Sequence, residues 1–247
     1  MPSNSKEKLL VLILLLFAST SVIADVFLTA ENLNSSLKDM LRIQRQLQDE
    51  EGDERDNLIY RLGVAADSLA KLLTDEVAAH GPQNEGLISL ALDRTEKMGI
   101  DISWYGENQS FYYDGEAFER YLNGSPQGQY VADSLFRQMK RNFYLMGGGS
   151  PQELIRSSDE KQQFLERYPD FEEIHELELF LAIDLRDLWR HYHESGDDEA
   201  ALRLEQRVRQ QFEHIISSYQ DREAADLARR LLARFEEELS PPATDSP

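Results

Sequence analysis

Apolar residues between residues 26 and 72 recur with gaps of four and three, the spacing of one face of a helix. The first stripe runs from Val26 to Leu47, and Gln44 is its polar exception. The two stripes consist of Val26, Ala30, Leu33, Leu37, Met40 and Leu47, and then Leu58, Leu62, Ala65, Leu69 and Leu72. The acidic run 49–54, with Gly52 inside it, predicts a turn between two helices.

The two predicted helices have two arrangements open to them. They either fold back on each other as a hairpin, or the first forms a short coiled coil that oligomerises the chain. The first stripe covers only about three heptads, which favours the hairpin. The sequence His80-Gly81-Pro82 ends the second helix, and a third is expected over Glu85–Met98. Residues 25–98 are therefore predicted to form an N-terminal helical segment.

The segment from Gly99 to Tyr113 is the least regular part of the chain and is rich in aromatic residues. Aromatic side chains at this density in a loop-like segment usually fill the junction between two helical layers. The alternative is an aromatic docking patch for a peptide.

Three turns in the second half of the chain share one pattern. Pro126, Pro169 and Gln220 occupy the turns, at intervals of 43 and 51 residues. In each, an apolar pair precedes the turn at the same distance, and an apolar residue returns at the same offset beyond it. These residues are Tyr121-Leu122 with Val131, Phe164-Leu165 with Ile174, and Ile215-Ile216 with Ala225. The pattern predicts a divergent array of helix–turn–helix units over residues 99–239.

The most specific stretch lies between the second and third turns. Leu185, Leu188 and Tyr192 line one helix face, and Gly196 suits a left-handed helix cap. Asp197 or Asp198 then caps the next helix, in which Ala201 is small enough for two helices to approach closely.

This stretch resembles the core of a tetratricopeptide repeat. The closing sequence Ser218-Tyr219-Gln220-Asp221, followed by the alanines of 224–228, is similar to the junction between such repeats in bacterial envelope proteins, including outer-membrane assembly lipoproteins and periplasmic cell-division coordinators. The resemblance covers roughly residues 111–239. It implies antiparallel helix pairs stacked into a superhelix, with a concave face that binds other proteins or peptides.

Two further segments are expected to lie outside packed structure. The run 146–151, with Gly147-Gly148-Gly149, is a predicted linker and a hinge between two helical lobes. The tail 240–247 has little apolar content to pack, so we expect it to be disordered.

Residues 1–24 have the three-part form of a secretory signal peptide. Lys6 and Lys8 make the positive region, residues 9–17 are an unbroken apolar run, and Ala24 is the small residue at the expected cleavage site. The alternative is an uncleaved anchor, although the run is short for a bilayer. Cleavage after Ala24 would give a periplasmic protein with no stable membrane insertion.

Net charge and cysteine content exclude several kinds of partner and of catalytic or metal site. The 247 residues carry a formal charge of −20 and no cysteine. This acidity disfavours nucleic acid as a partner, and it suits either solubility or a basic protein partner. The lack of cysteine removes disulfides, thiol catalysis and thiolate metal sites.

Candidate chemistry is sparse. His191 and His193 lie two apart and diverge on a helix, and His175 lacks the spacing of a zinc-binding motif. We therefore predict no catalytic residue, no metal and no cofactor. The candidate partner-binding residues, for each of which core packing is the favoured alternative, are Trp104, Tyr112, Tyr113, Trp189 and Tyr192.

The predicted function is that of a non-catalytic adaptor or scaffold for other proteins of the cell envelope. One alternative is an oligomeric spacer joined through the N-terminal coil. Another is a hydrolase that acts on an envelope polymer through paired carboxylates.

Overall fold

The computed structural model describes residues 28–106, 109–146 and 149–239, except for the side chains of residues 82, 83 and 146. The predicted signal peptide 1–24, Val26, Gly147 and Gly148 of the predicted linker, and the tail 240–247 lie outside these residues. In the described ranges, no helix is long and apolar enough to cross a membrane.

Helices make up about 80 % of the described structure, which confirms the all-α fold. The helices are α1 Ala30–Asp49, α2 Gly52–His80, α3 Glu85–Lys97, α4 Glu116–Gly124, α5 Val131–Met146, α6 Pro151–Arg167, α7 Ile174–Ser195, α8 Asp198–Ser218 and α9 Glu223–Leu239. A 3₁₀ turn spans Gly81–Asn84, and the strands are β1 Ile102–Tyr105 and β2 Ser110–Tyr113. The described chain divides into two compact units, residues 28–141 and 142–239.

In the N-terminal unit, α1 and α2 pack against each other as a hairpin. Leu33, Leu37 and Met40 of the predicted stripe are buried, together with Ile43, which the stripe had omitted, whereas Ala30 is exposed. The polar exception, Gln44, donates a hydrogen bond from Nε2 to the carbonyl oxygen of Met98, at 2.7 Å. The apolar face of α1 is therefore covered within the chain.

The turns that bound α2 lie where the sequence predicts them. The helix begins at Gly52, with φ +59°, and ends at His80 before Gly81, with φ +61°. Glycine adopts this left-handed backbone without the steric cost that a side chain brings. Near the end of α2, the buried Glu76 accepts a hydrogen bond from the backbone N–H of Leu28, at 2.8 Å, and so holds the start of the described chain on this unit.

Within the segment 99–113, residues 102–105 and 110–113 form two antiparallel strands rather than the irregular structure that the sequence predicts. The antiparallel strands pair Ile102 with Tyr113 and Trp104 with Phe111. Thr74 of α2 holds the hairpin, because its hydroxyl accepts a hydrogen bond from the backbone N–H of Phe111 at 2.8 Å. The alternation escaped prediction because aromatic residues occupy both faces of two four-residue strands.

The C-terminal unit contains α6 to α9, and its connections lie at the predicted turns, 168–173 and 219–222. Gly196 has φ +78° at the end of α7, and Asp197 accepts a hydrogen bond from the backbone N–H of Ala200, at 3.1 Å. The predicted left-handed cap and helix N-cap are both confirmed. The superhelical, tetratricopeptide-like arrangement of these helices stays a prediction.

Helix α7 is the centre of this unit and packs against α6, α8 and α9. Every residue from Leu177 to Trp189 is buried, as expected of a helix surrounded on all sides. The core of this unit joins α7 to α6, α8 and α9. Its most deeply buried side chains are Leu154, Leu179, Ala182, Ile183, Val208, Phe212, Ile215, Ala228, Leu231 and Phe235.

Candidate functional site

A groove on the C-terminal unit collects one stripe of side chains from each of three helices. The α6 stripe is Gln162, Leu165 and Glu166; the α7 stripe is Glu178, Leu181 and Leu185; the α8 stripe is Arg207, Gln210, Gln211 and His214. Counted from the first member of each stripe, the other members follow after three, four or seven residues, so they point to the same side. The groove thus follows directly from the helical register of three sequence segments.

The groove has an apolar floor and a polar rim. Leu165, Leu181 and Leu185 form the floor, while three glutamine amides stand around it. Its volume is about 530 Å³, within the range of sites that bind ligands. Amide side chains both donate and accept hydrogen bonds, so they suit the backbone of a bound peptide.

Glu178 is the unusual residue of this groove. It is only 9 % exposed, and its Oε2 accepts no hydrogen bond within the described part of the chain. Nε2 of His214 lies 3.4 Å from that oxygen. Burial raises the pKa of Glu178 above its usual range, while His214 and the hydroxyl of Tyr219 partly oppose the rise.

Tyr219, which does not line the groove, is the second partner of Glu178. Its hydroxyl donates a hydrogen bond to the Glu178 carboxylate, and burial together with that carboxylate raises the pKa of Tyr219 to about 12. The ring of His175 lies 5.8 Å from the ring of Tyr219, and that of His214 lies 6.4 Å away. The groove is therefore lined by a buried carboxyl whose loss of hydration is only partly offset by His214 and Tyr219.

A second polar cluster lies deeper in the same unit. Nζ of Lys161 and Oδ2 of Asp184 are 2.6 Å apart, and the hydroxyl of Ser157 donates to the same Asp184 oxygen at 2.7 Å. All three side chains are buried. Nζ of Lys161 also donates a hydrogen bond to the hydroxyl oxygen of Ser157. The polar groups of this cluster are therefore paired with one another inside the unit.

The described residues contain no group of three or more histidine, aspartate or glutamate side chains arranged to hold a metal ion. Glu178 and His214 are thus a pair rather than part of a larger ligand set.

The predicted aromatics of the hairpin lie on different surfaces. Trp104 is 42 % exposed and packs against Phe111, with 4.9 Å between the ring centroids. Tyr112 lies on the opposite face of the two strands, where its ring meets the edge of Tyr105 at 5.5 Å. Tyr113 is buried, and its hydroxyl oxygen accepts a hydrogen bond from the backbone N–H of Ala117. These aromatics do not form one patch.

The predicted aromatics of α7 lie within the C-terminal core. Trp189 is 2 % exposed, between the ring of His193, stacked at 5.1 Å, and the edge of Phe235 at 4.8 Å. Tyr192 is partly buried against the same core. Neither residue lines the groove.

The groove was missed because its residues are ordinary types in ordinary helices. The clearest sequence signal for the groove is Glu178. It is a single glutamate between Leu177 and Leu179, in a run that is otherwise apolar up to Ile183. Charged residues are rarely buried without a partner, so such a position indicates either an ion pair or a site.

Comparison with profiles of known protein families gives no match, and comparison with curated proteins gives none. The groove itself is therefore the observation from which a function is argued.

Proposed function

We propose that this chain is an exported, non-catalytic adaptor that binds segments of other envelope proteins in the groove of α6, α7 and α8. The observation that carries the proposal is the leucine floor bordered by glutamine amides. An extended peptide places apolar side chains on such a floor and exchanges backbone hydrogen bonds with the rim. The tetratricopeptide-like sequence pattern supports the same use of the helices.

The proposal predicts that a photo-crosslinker placed in the groove captures a partner protein in the native host. We would introduce p-benzoylphenylalanine at Gln211, on the rim, and compare it with the same residue at Gln163, which is exposed on α6 outside the groove. We expect a discrete adduct from position 211 and none from position 163.

Substitution of a leucine of the groove floor distinguishes specific capture of a partner from chance contact. Leu165→Asp places a charge on the apolar floor and should abolish the adduct at position 211. Leu202→Asp makes the same change at a leucine of α8 that is 69 % exposed and outside the groove, and should leave the adduct intact. Equal labelling from positions 163 and 211, or an adduct that survives Leu165→Asp, would contradict the proposal.

The spacer function has no comparable support. An oligomerising coil needs an apolar stripe on α1 that is free to meet another chain, and Leu33, Leu37 and Met40 are buried.

The hydrolase function rests on one observation, the raised pKa of Glu178 in a groove that Glu166 also lines. General acid catalysis needs a carboxyl of this kind. Turnover of peptidoglycan fragments by the wild-type chain, lost in Glu178→Gln, would replace the adaptor proposal with this one.

A further inference from the structure

Glu178 gives the groove a chemical preference that its floor alone would not have. The side chain lines the groove and is 12 % exposed, and its Oε2, which lies 3.4 Å from Nε2 of His214, has no hydrogen bond in the described structure. A buried acceptor in this state is costly unless a donor reaches it. The missing donor can come from whatever occupies the groove.

Two side chains of the same unit contact the Glu178 carboxylate, His214 and Tyr219. Nε2 of His214 lies 3.4 Å from Oε2, and the His214 side chain is 54 % exposed to solvent. The ammonium of a lysine or the guanidinium of an arginine would bring a fixed positive charge and further donors to this oxygen. Tyr219 donates one hydrogen bond but brings no charge.

The two other charged groups of the groove lie on its exposed rim, Glu166 on α6 and Arg207 on α8. Exposed charges are screened by water and salt, whereas the desolvated carboxylate of Glu178 interacts strongly with a cation that reaches it. The formal charge of −20 on the whole chain also attracts a basic partner at long range. Both effects favour a cationic occupant.

We infer that the occupant is an extended protein segment in which a lysine or arginine lies between apolar side chains, its cation pairing with Glu178 while its neighbours cover Leu165, Leu181 and Leu185. This inference rests on the proposed adaptor function and adds the chemistry of the partner to it. An ammonium or guanidinium would give Oε2 the charged hydrogen bond that it lacks. The glutamines of the rim would hold the backbone on either side.

A blocked nine-residue peptide with one lysine between leucines is the direct probe. Matched peptides carry arginine, norleucine or glutamate at the central position, and binding to the purified chain is followed by fluorescence anisotropy at low and at 0.5 M salt. We expect the lysine and arginine peptides to bind about tenfold more tightly than the norleucine peptide, the usual size of one charged hydrogen bond.

Two glutamate variants test whether Glu178 causes the tighter binding of the lysine peptide. Glu178→Gln should reduce the lysine-to-norleucine affinity ratio to about one and leave norleucine binding unchanged. Glu213→Gln removes the same charge from an exposed position next to His214 that does not line the groove, and should keep the full ratio. Circular dichroism melts of both variants check that the fold is retained.

The outcomes separate this inference from the adaptor proposal. If all peptides bind equally, or if the lysine preference survives Glu178→Gln, the cationic inference is wrong, while the adaptor proposal stands as long as Leu165→Asp abolishes binding. Tightest binding of the glutamate peptide, lost on Arg207→Gln, would also overturn the inference. If no peptide binds, the adaptor proposal for this groove fails with it.

Discussion

The carboxyl of Glu178 is an unusual group to find within the buried run of a helix. It lies between the buried Leu177 and Leu179 of α7 and lines the groove. Tyr219 and His214 contact it, yet one oxygen stays without a hydrogen bond. Surrounding apolar atoms disfavour the ionised form, which is why the pKa is raised. A binding role gives this arrangement a physical reason.

The raised pKa makes a prediction about stability and pH. The protonated carboxyl is compatible with burial, so its contribution is fully present below the unfolded pKa of about 4.3 and is lost as the pH rises through the higher folded value. Glu178→Gln keeps the shape and removes the ionisation. We expect it to raise the free energy of unfolding at pH 8 by about 1 kcal/mol, and to change it little at pH 4.

Urea unfolding of the wild type and the variant at both pH values measures this difference. Glu213→Gln is the control, because exposed substitutions stay within about 0.5 kcal/mol at either pH. Loss of stability in Glu178→Gln at pH 8 would show that the folded protein depends on the carboxylate, and the prediction would be wrong.

At the scale of elements, α2 and α4 meet at a glycine. A Cβ atom built on Gly63 would lie 2.9 Å from Cε1 of Phe118, whose ring is buried. A carbon pair this close must move apart, and a buried ring has little room to move. The packing of these two helices therefore requires the absence of a side chain at position 63.

Two glycine-to-alanine substitutions test this contact. Both positions are helical, so alanine should stabilise each helix by about 0.5–1 kcal/mol through its better propensity. Gly86 on α3 has open space around a new Cβ, and Gly86→Ala should show this gain. Gly63→Ala should instead lower the free energy of unfolding by about 1–3 kcal/mol, because of overpacking.

Thermal and urea unfolding of the two variants give the comparison directly. If Gly63→Ala were as stable as Gly86→Ala, the ring of Phe118 would be free to shift, and the close helix contact would not be a requirement of the fold.

Most elements follow from local rules that the sequence displays. Four-three spacing predicts α1 and α2, and proline, glycine and aspartate mark the ends of α6 to α9. The hairpin 102–113 did not follow, because its pairing depends on support from Thr74, far away in the sequence. Whether the stripe of α1 meets α2 or another chain was also open, since periodicity defines a face but not its partner.

At the scale of the whole molecule, the groove is the feature that the sequence did not predict. Its lining comes from three helices, of which α7 is buried throughout Leu177–Trp189, whereas α6 and α8 are amphipathic. Periodicity predicts the apolar faces of α6 and α8, but tertiary packing decides where these faces adjoin α7. Aromatic residues such as Trp189 drew attention because they often anchor ligands, and the same large apolar rings also fill cores.

Export can be tested together with the integrity of the fold. Cleavage after Ala24 leaves three residues before Leu28, which is buried and donates its backbone N–H to Glu76. The described fold begins at this anchor, so we expect removal of residues 1–24 to leave it intact. In a Gram-negative host, N-terminal sequencing of the periplasmic fraction should read Asp25-Val26-Phe27.

Substitution at the cleavage site sharpens that prediction. Signal peptidase requires a small residue there, so Ala24→Leu should leave the full-length chain attached to the membrane fraction. Ala30→Leu makes the same change at an exposed position beyond the site and should be processed normally. The processed chain should unfold in one or more sharp thermal transitions, as a packed fold does. Full-length protein in the cytosol, or a processed chain without such a transition, would contradict the prediction.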